Sequence, residues 1–284
     1  MFSFSMWSLI EAISIWLTVW VDTFIIGNAL NQHYLGLYKT STSMVNSLMT
    51  LITSSVVPVL FSALSRVQKN ETQFNYIYFK FQRLVSILIF PLGIGIFLYS
   101  DLATQILLGN KWNEASAVIG TWALTSSIKI VFGNFASEAY RSKGRPRLSF
   151  LAQVLHLVVL VPVCFISANY GFWPLVYARS WIRVQFVLVH LVVMKLGIGI
   201  PILKTFKNVS LTAMSAIAMG IFGYALKQLN TGVVWSFISI ILCILFYFGI
   251  LLLLPGMRKE LYSAAKNIIP ARLLNFYKTK FVLR

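Results

Sequence analysis

Eight long apolar segments follow one another along this chain of 284 residues, and they restrict its fold more than any other feature. A helix needs about 20 mostly apolar residues to cross a bilayer, so eight spans need roughly 160. Hydrophobic residues make up 58% of the chain and charged residues only 11%, whereas a soluble domain has about 25% charged residues. This composition excludes a soluble enzyme, a disordered chain and a secreted disulfide scaffold.

The segments are predicted to be transmembrane helices, because backbone polar groups in lipid must find their hydrogen bonds within the segment. We place them at about 4–27, 36–63, 79–99, 115–139, 148–168, 172–195, 208–226 and 232–255. The predicted fold class is an all-α, polytopic membrane bundle of about eight helices. Cys164 and Cys243 both lie in apolar runs, so we expect neither a disulfide nor a metal site.

The basic residues predict how the helices are oriented. The chain has 24 lysines and arginines against 7 acidic residues, and most of them fall in alternate loops and in the C-terminal tail. Loops rich in lysine and arginine stay in the cytoplasm, so we expect both ends of the chain there, in the cytoplasmic (inner) membrane. The tail at 256–284 is expected to lie along the anionic inner leaflet. Because the charge is confined to particular loops, it indicates membrane lipids and no nucleic-acid partner.

Five segments carry polar residues at a spacing of three or four, which places them on one helical face. The stripes are Glu11, Ser14, Thr18 and Asp22; Lys39, Ser43, Asn46, Thr50 and Ser54; Thr121, Thr125, Lys129 and Ser137; Ser149, Gln153 and His156; and Arg179, Arg183 and His190. The last two segments carry no such stripe, so we expect them at the lipid-facing periphery.

Three cations, Lys129, Arg179 and Arg183, fall inside predicted helices. A charge at membrane depth costs about 2.5–3.5 kcal/mol on insertion scales, and such residues line a hydrated cavity or pair internally. Few acidic residues are at hand as partners, so the excess of cations favours a cavity for an anionic ligand. For the hydroxyl residues the alternative is that they hold helices together. Asp22 and Lys39 are candidates for an ion pair near the outer surface.

Several short strings resemble, in order and spacing, the second half of the polysaccharide-transporter flippases. They are VDTFIIG at 21–27 with YLGLY at 34–38, PVLFSALSR at 58–66, FPLG at 90–93, LLGNKW at 107–112 and RSKGRP at 141–146. The family belongs to the superfamily that includes multidrug extruders and lipid II flippases. The resemblance implies a substrate of undecaprenyl-diphosphate-linked oligosaccharide, moved to the outer leaflet by alternating access for surface polysaccharide assembly. We expect no cofactor.

The resemblance also implies a division of the chain. Residues 1–196 would form the second six-helix lobe, 197–255 two additional transmembrane helices and 256–284 the basic tail. Family members have two lobes, so we expect a truncated or half transporter that needs a missing N-terminal lobe or a second copy. Lys129, Arg179 and Arg183 become candidates for binding the diphosphate. Asp22 and Lys39 become an outer-side gate or a structural bridge.

Other functions remain open at the level of the sequence. A cation-coupled multidrug or toxin extruder of the same superfamily would favour acidic residues in the cavity, and the interior balance here is basic. A non-transporting remnant is a second alternative, because one lobe alone lacks half of a cavity. An enzyme is disfavoured, since the predicted outer loops are short and no nucleophile stands beside a base.

Overall fold

The computed structural model describes residues 2–230, 232–258 and 260, and these contain helices and turns but no strand. Eight helical spans within these ranges are long and apolar enough to cross a membrane. Each overlaps one of the eight predicted segments, so the prediction of an all-α, multi-pass membrane bundle is confirmed. The predicted interfacial tail lies outside the described residues from 261 onward, and it stays a prediction.

The described helices run in an up-and-down order joined by short turns. They are α1 (Phe2–Ala29), α2 (Gln32–Arg66), α3 (Glu71–Leu98), α4 (Ser100–Leu108), α5 (Ala115–Lys129), α6 (Phe135–Ser142), α7 (Pro146–Ala168), α8 (Phe172–Ile198), α9 (Ile202–Leu229) and α10 (Val233–Leu253). The short α4 lies in the loop between α3 and α5. A π-helical turn at Ile130–Asn134 joins α5 to α6, and the three together form one span, Ala115–Ser142.

Local sequence signals set several of the helix ends. Asn31 caps α2 by accepting a hydrogen bond from the Tyr34 amide at 3.0 Å, and Asn70 caps α3 by accepting from the Gln73 amide at 3.1 Å. Asparagine is among the preferred N-cap residues because its side-chain oxygen pairs with an otherwise free amide. Gly199 ends α8 with a φ of 76°, a conformation that glycine adopts without a steric penalty.

The span that contains α5 and α6 lies at the centre of the bundle. Helix α5 packs against α2, α3 and α8, while α1 packs on α7 and α7 on α8. Helix α9 packs along α3, and α10 along α9. Large apolar side chains stay exposed on the outer faces of α1, α9 and α10, for example Trp16, Leu203 and Ile241. Such faces suit contact with lipid, because acyl chains are as apolar as these side chains.

Helix α9 departs from the expectation that the last two helices carry no polar stripe, and that expectation is wrong for it. Thr205, Thr212 and Ser215 are buried at helical spacing, and the Thr212 hydroxyl lies 2.8 Å from the Ser86 hydroxyl of α3. Thr205 also donates to the Pro201 carbonyl of its own helix at 3.1 Å. Threonine and serine hydroxyls can donate to the backbone carbonyl one turn earlier, so they fit among apolar residues. A hydropathy pattern of leucine, valine and methionine therefore hides them.

Gly93 of α3 is expected to tolerate no side chain. A Cβ atom there would lie 2.5 Å from the Ser127 Cβ and 3.1 Å from the Ala123 carbonyl oxygen of α5. We expect Gly93→Ala to lower the free energy of unfolding by about 1–3 kcal/mol, because overpacking forces helices apart. Gly95→Ala is the matched control, since a Cβ there meets nothing within 4 Å. Unfolding of the purified protein in detergent micelles measures both, and equal effects would contradict the close α3–α5 contact.

Candidate functional site

A cavity of about 640 Å³ lies between α1, α2, α5 and α8. Helix α2 contributes hydroxyl and amide side chains to its wall, namely Ser43, Asn46, Ser47, Thr50, Thr53 and Ser54. The charged part of the wall consists of four basic side chains and one carboxylate, namely Lys39, Lys129, Arg179, Arg183 and Asp22. All five site residues predicted from the sequence therefore line one cavity, whose wall carries an excess of positive charge.

Asp22 and Arg179 form a buried ion pair at this cavity. The Arg179 Nε donates to Asp22 Oδ2 at 2.7 Å, and the Tyr38 hydroxyl donates to the same oxygen at 2.6 Å. The second carboxylate oxygen accepts from the Thr23 amide at 2.7 Å. Arg179 Nη2 also donates to the Thr18 carbonyl at 3.1 Å. The pair ties α1 to α2 and α8, so Arg179 is neutralised and has a structural partner.

Lys39 does not pair with Asp22 as the sequence suggested. Arg179 occupies the carboxylate, and the Lys39 Nζ instead lies 3.9 Å from the centroid of the Trp20 ring. A cation over an aromatic face is attracted by the ring quadrupole, so Lys39 is stabilised at the edge of the cavity by α1. The proposed Asp22–Lys39 bridge is therefore corrected to Asp22–Arg179, because a guanidinium forms the better-matched, more weakly hydrated partner for a buried carboxylate.

Arg183 is buried in the cavity wall without a carboxylate. Its Nη1 donates to the Trp122 carbonyl at 3.2 Å and to the Ser126 hydroxyl, and its guanidinium carbon lies 3.3 Å from the centroid of the Trp122 ring. No acidic oxygen comes within 4.0 Å of it in the part of the chain that the structure describes. These contacts hold the side chain in place and leave its charge uncompensated.

Lys129 is the second cation of the cavity without an acidic partner among the described residues. It is the last residue of α5 and directly precedes the π-helical turn at Ile130–Asn134. Its Nζ lies 4.8 Å from the centroid of the Phe186 ring. Phe186 fits against this turn because Gly133 has no side chain, and a Cβ there would lie 2.7 Å from Phe186 Cε1. The wide turn thus sets the position of the lysine.

Trp122 is the main site residue that the sequence analysis missed. Its ring lies under both guanidinium groups, 5.3 Å from Arg179 and 3.3 Å from Arg183, and its Nε1 donates to Asn46 Oδ1 at 3.0 Å. One signal was present, since Trp122 directly follows Thr121 in the polar stripe of α5 and is the only tryptophan of that segment. An aromatic residue between polar ones is ambiguous in a membrane helix, and only the packing of α5 on α8 shows its role.

The first part of the chain matches a known protein family. Residues 1–117 match the model of a family described as polysaccharide biosynthesis protein. The match covers α1, α2 and α3, and it therefore includes Asp22 and the polar stripe of α2. The matched part is less than half of the chain. The match agrees with the resemblance drawn from the short strings, of which all but the one at 141–146 fall within it.

Three curated relatives of this chain are distant in sequence. The chain is 21% identical over 164 residues to an uncharacterized membrane protein in the cps region of Klebsiella pneumoniae. It is 25% identical over 172 residues to the probable low-salt glycan biosynthesis flippase Agl15 of Haloferax volcanii, and 21% identical over 166 residues to the lipopolysaccharide biosynthesis protein WzxC of Escherichia coli. The alignments cover 57–58% of this chain but only 34–35% of each relative.

The helices superpose on a solved flippase. A structure of lipid II flippase MurJ in an inward closed conformation matches with a TM-score of 0.71 at 17% sequence identity. The match covers 86% of this chain and 51% of the solved one. This chain therefore shares the fold of about half of that solved structure.

Proposed function

We propose that this chain forms one lobe of a flippase for undecaprenyl-diphosphate-linked oligosaccharide, acting in surface polysaccharide biosynthesis. The observation that carries the proposal is that Arg183 and Lys129 line the cavity without an acidic partner among the described residues. A diphosphate brings negative charge, which arginine can bind with two parallel hydrogen bonds and lysine as a point charge. The relatives Agl15, a probable glycan biosynthesis flippase, and WzxC, a lipopolysaccharide biosynthesis protein, support a role in glycan assembly at a membrane.

The proposed location is the cytoplasmic membrane, with both ends of the chain in the cytoplasm and alternating access between the two sides. Basic residues surround the α2–α3, α6–α7 and α8–α9 turns, namely Arg66, Lys69, Arg141, Lys143, Arg145, Arg147, Lys195 and Lys204. These turns lie at the same end of the up-and-down bundle. Because positively charged loops are retained in the cytoplasm, that end is assigned to the inside.

A second lobe is proposed to close the cavity. Ser43, Asn46, Ser47 and Thr50 of α2 line it and are exposed, although they lie in a membrane-spanning helix. Polar side chains at that depth face protein or water in preference to lipid. We therefore propose that an N-terminal lobe or a second copy of this chain covers this face, with residues 1–196 acting as one lobe and 197–255 as two additional helices.

A cation-coupled multidrug extruder is the second candidate, and the cavity disfavours it. The one carboxylate of the wall, Asp22, already accepts from Arg179 and Tyr38. A lipophilic cation would therefore approach Arg183, Lys129 and Lys39 with no free anion to bind it. The role proposed for the chain is accordingly transport of an anionic lipid and not catalysis.

Binding of defined lipids to the purified chain tests the proposal. A polyprenyl-diphosphate oligosaccharide is expected to bind at least about tenfold more tightly than its monophosphate, since one further charge-assisted hydrogen bond contributes about 1.5–3 kcal/mol. Native mass spectrometry in detergent micelles measures the ratio, with a lipophilic cation as the comparison ligand. Proteoliposomes that also contain the second lobe then report translocation through access of a lectin to the sugar. Preference for the lipophilic cation would reject the proposal.

A further inference from the structure

The π-helical turn that positions Lys129 is supported from its outer side by α3 and α9. Gln82 of α3 is completely buried and donates from Nε2 to the Val131 carbonyl in the turn at 3.3 Å. Asn208 of α9 donates from Nδ2 to Gln82 Oε1 at 3.0 Å. A hydrogen-bonded path therefore runs from α9 through α3 to the backbone of the turn.

A second, aromatic contact joins α9 to the same turn. The ring centroids of Phe206 and Phe132 lie 4.9 Å apart, and Phe132 also lies 6.2 Å from Phe90 of α3. A π-helical turn is a local widening that is frequent at functional sites and needs support from its surroundings. Here the support from α9 is both polar and apolar, and it reaches Val131 and Phe132 of the turn.

Asn208 is itself held in a single orientation. Arg83 donates to its Oδ1 from Nε at 3.1 Å and from Nη2 at 2.7 Å. Arginine has no acceptor, so the oxygen of the amide must face Arg83 and the amide nitrogen must face α3. That nitrogen also donates to the Phe79 carbonyl at 2.8 Å. The contact with Arg83 therefore turns the amide nitrogen of Asn208 toward Gln82.

The opposite side of the turn faces the cavity. Lys129, Ile130 and Asn134 line it, and Gly133 admits the Phe186 ring that contacts the Lys129 ammonium. A displacement of the turn by α9 would therefore move the lysine relative to Arg183. Helix α9, which the sequence predicts at the periphery, therefore contacts the turn whose other side lines the cavity.

We infer that Asn208 and Gln82 are positioning residues, which hold the π-helical turn and thereby fix Lys129 in the cavity. Helix α9 is then part of the transport machinery and not only a contact surface for lipid. The inference rests on the proposed function in one respect, namely that Lys129 binds the anionic head group. Its structural content, the hold on the turn, can be measured without any substrate.

A cysteine at position 134 reports on the turn. The background is Cys164→Ser with Cys243→Ser, so that Asn134→Cys is the cysteine that reacts with a polar maleimide. We expect Gln82→Met to raise the rate of this reaction by about fivefold, because the loss of one hydrogen bond of about 1 kcal/mol changes an equilibrium by that factor. Asn208→Ala is the second variant and is expected to act in the same direction. Gln73→Met is the matched control, because Gln73 lies on the same helix and is exposed.

A second reporter separates positioning from general loosening. Ser43→Cys lies in the same cavity on α2, away from the turn, and its labelling rate is expected to stay constant in Gln82→Met and Asn208→Ala. Equal increases at positions 43 and 134, or no increase at 134, would overturn the inference. A third outcome is faster labelling at position 134 with unchanged binding of the diphosphate lipid. It would support the conclusion that Gln82 and Asn208 hold the turn, and it would reject a role of Lys129 in binding.

Discussion

Replacing Asp22 with asparagine is expected to lower the free energy of unfolding by about 3–5 kcal/mol, the usual cost of removing one partner of a buried ion pair. Arg179 would keep its charge in a buried position beside Arg183 and Lys129, and Tyr38 would lose a charged acceptor. The substitution also removes the carboxylate that joins α1 to α2 and α8. Chemical unfolding of the purified protein in detergent micelles measures the effect.

An exposed ion pair supplies the control for this prediction. Asp101 contacts Lys227 at 3.2 Å, and its side chain is 71% exposed. Asp101→Asn makes the same chemical change there and is expected to cost at most about 1 kcal/mol. Adding Arg179→Gln to Asp22→Asn should recover part of the stability, because the stranded charge is then removed. Equal losses for Asp22→Asn and Asp101→Asn would show that the buried pair contributes no more than a surface one.

The architecture was predictable from the sequence because lipid leaves the backbone few choices. An apolar run of about 20 residues must be a helix there, so eight runs gave eight spans. The boundaries differ mainly where polar residues extend a helix beyond the hydrocarbon core, as α3 begins at Glu71 where the apolar run begins near 79. Caps such as Asn70 set these ends, and hydropathy alone does not register them.

The polar stripes were predictable as faces but not as partners. The stripe of α1 divides between two roles, since Glu11 accepts from Ser149 and Thr18 from Gln153 of α7, whereas Asp22 and the same Thr18 line the cavity. The first two contacts follow the alternative that polar residues hold helices together. Which role a residue takes depends on the neighbour that its face meets, and helical periodicity gives the face without the neighbour.

The interior cations were predictable as a group because charge at membrane depth is rare and costly. Their division was not predictable. Arg179 and Arg183 lie one helical turn apart on α8, and only the approach of α1 gives Arg179 the carboxylate that Arg183 lacks. The π-helical turn at Ile130–Asn134 likewise depends on contacts from α3, α8 and α9, so no local pattern indicates it.

Removing the two unpaired cations together is expected to separate binding from stability. Each charge-assisted contact to a phosphate contributes about 1.5–3 kcal/mol, so Arg183→Gln with Lys129→Gln should weaken binding of the diphosphate lipid by about 100-fold or more. The same variant should unfold at an unchanged or higher denaturant concentration. It removes a buried charge at Arg183 and a half-buried one at Lys129, neither with a carboxylate partner among the described residues. Arg179→Gln is expected to lower the stability instead, because it leaves the buried Asp22 carboxylate without its cation.

The control for charge alone is the double variant Arg66→Gln and Lys207→Gln. It removes two exposed cations from α2 and α9, near the end of the bundle assigned to the cytoplasm. Lipid binding by that pair should stay within about threefold of the unchanged protein, because exposed charges are screened by salt. Binding isotherms and unfolding curves on the same preparations give both quantities. If the cavity variant loses stability in proportion to binding, Arg183 and Lys129 serve the fold. If it keeps its stability and loses binding, their charge serves to bind the ligand.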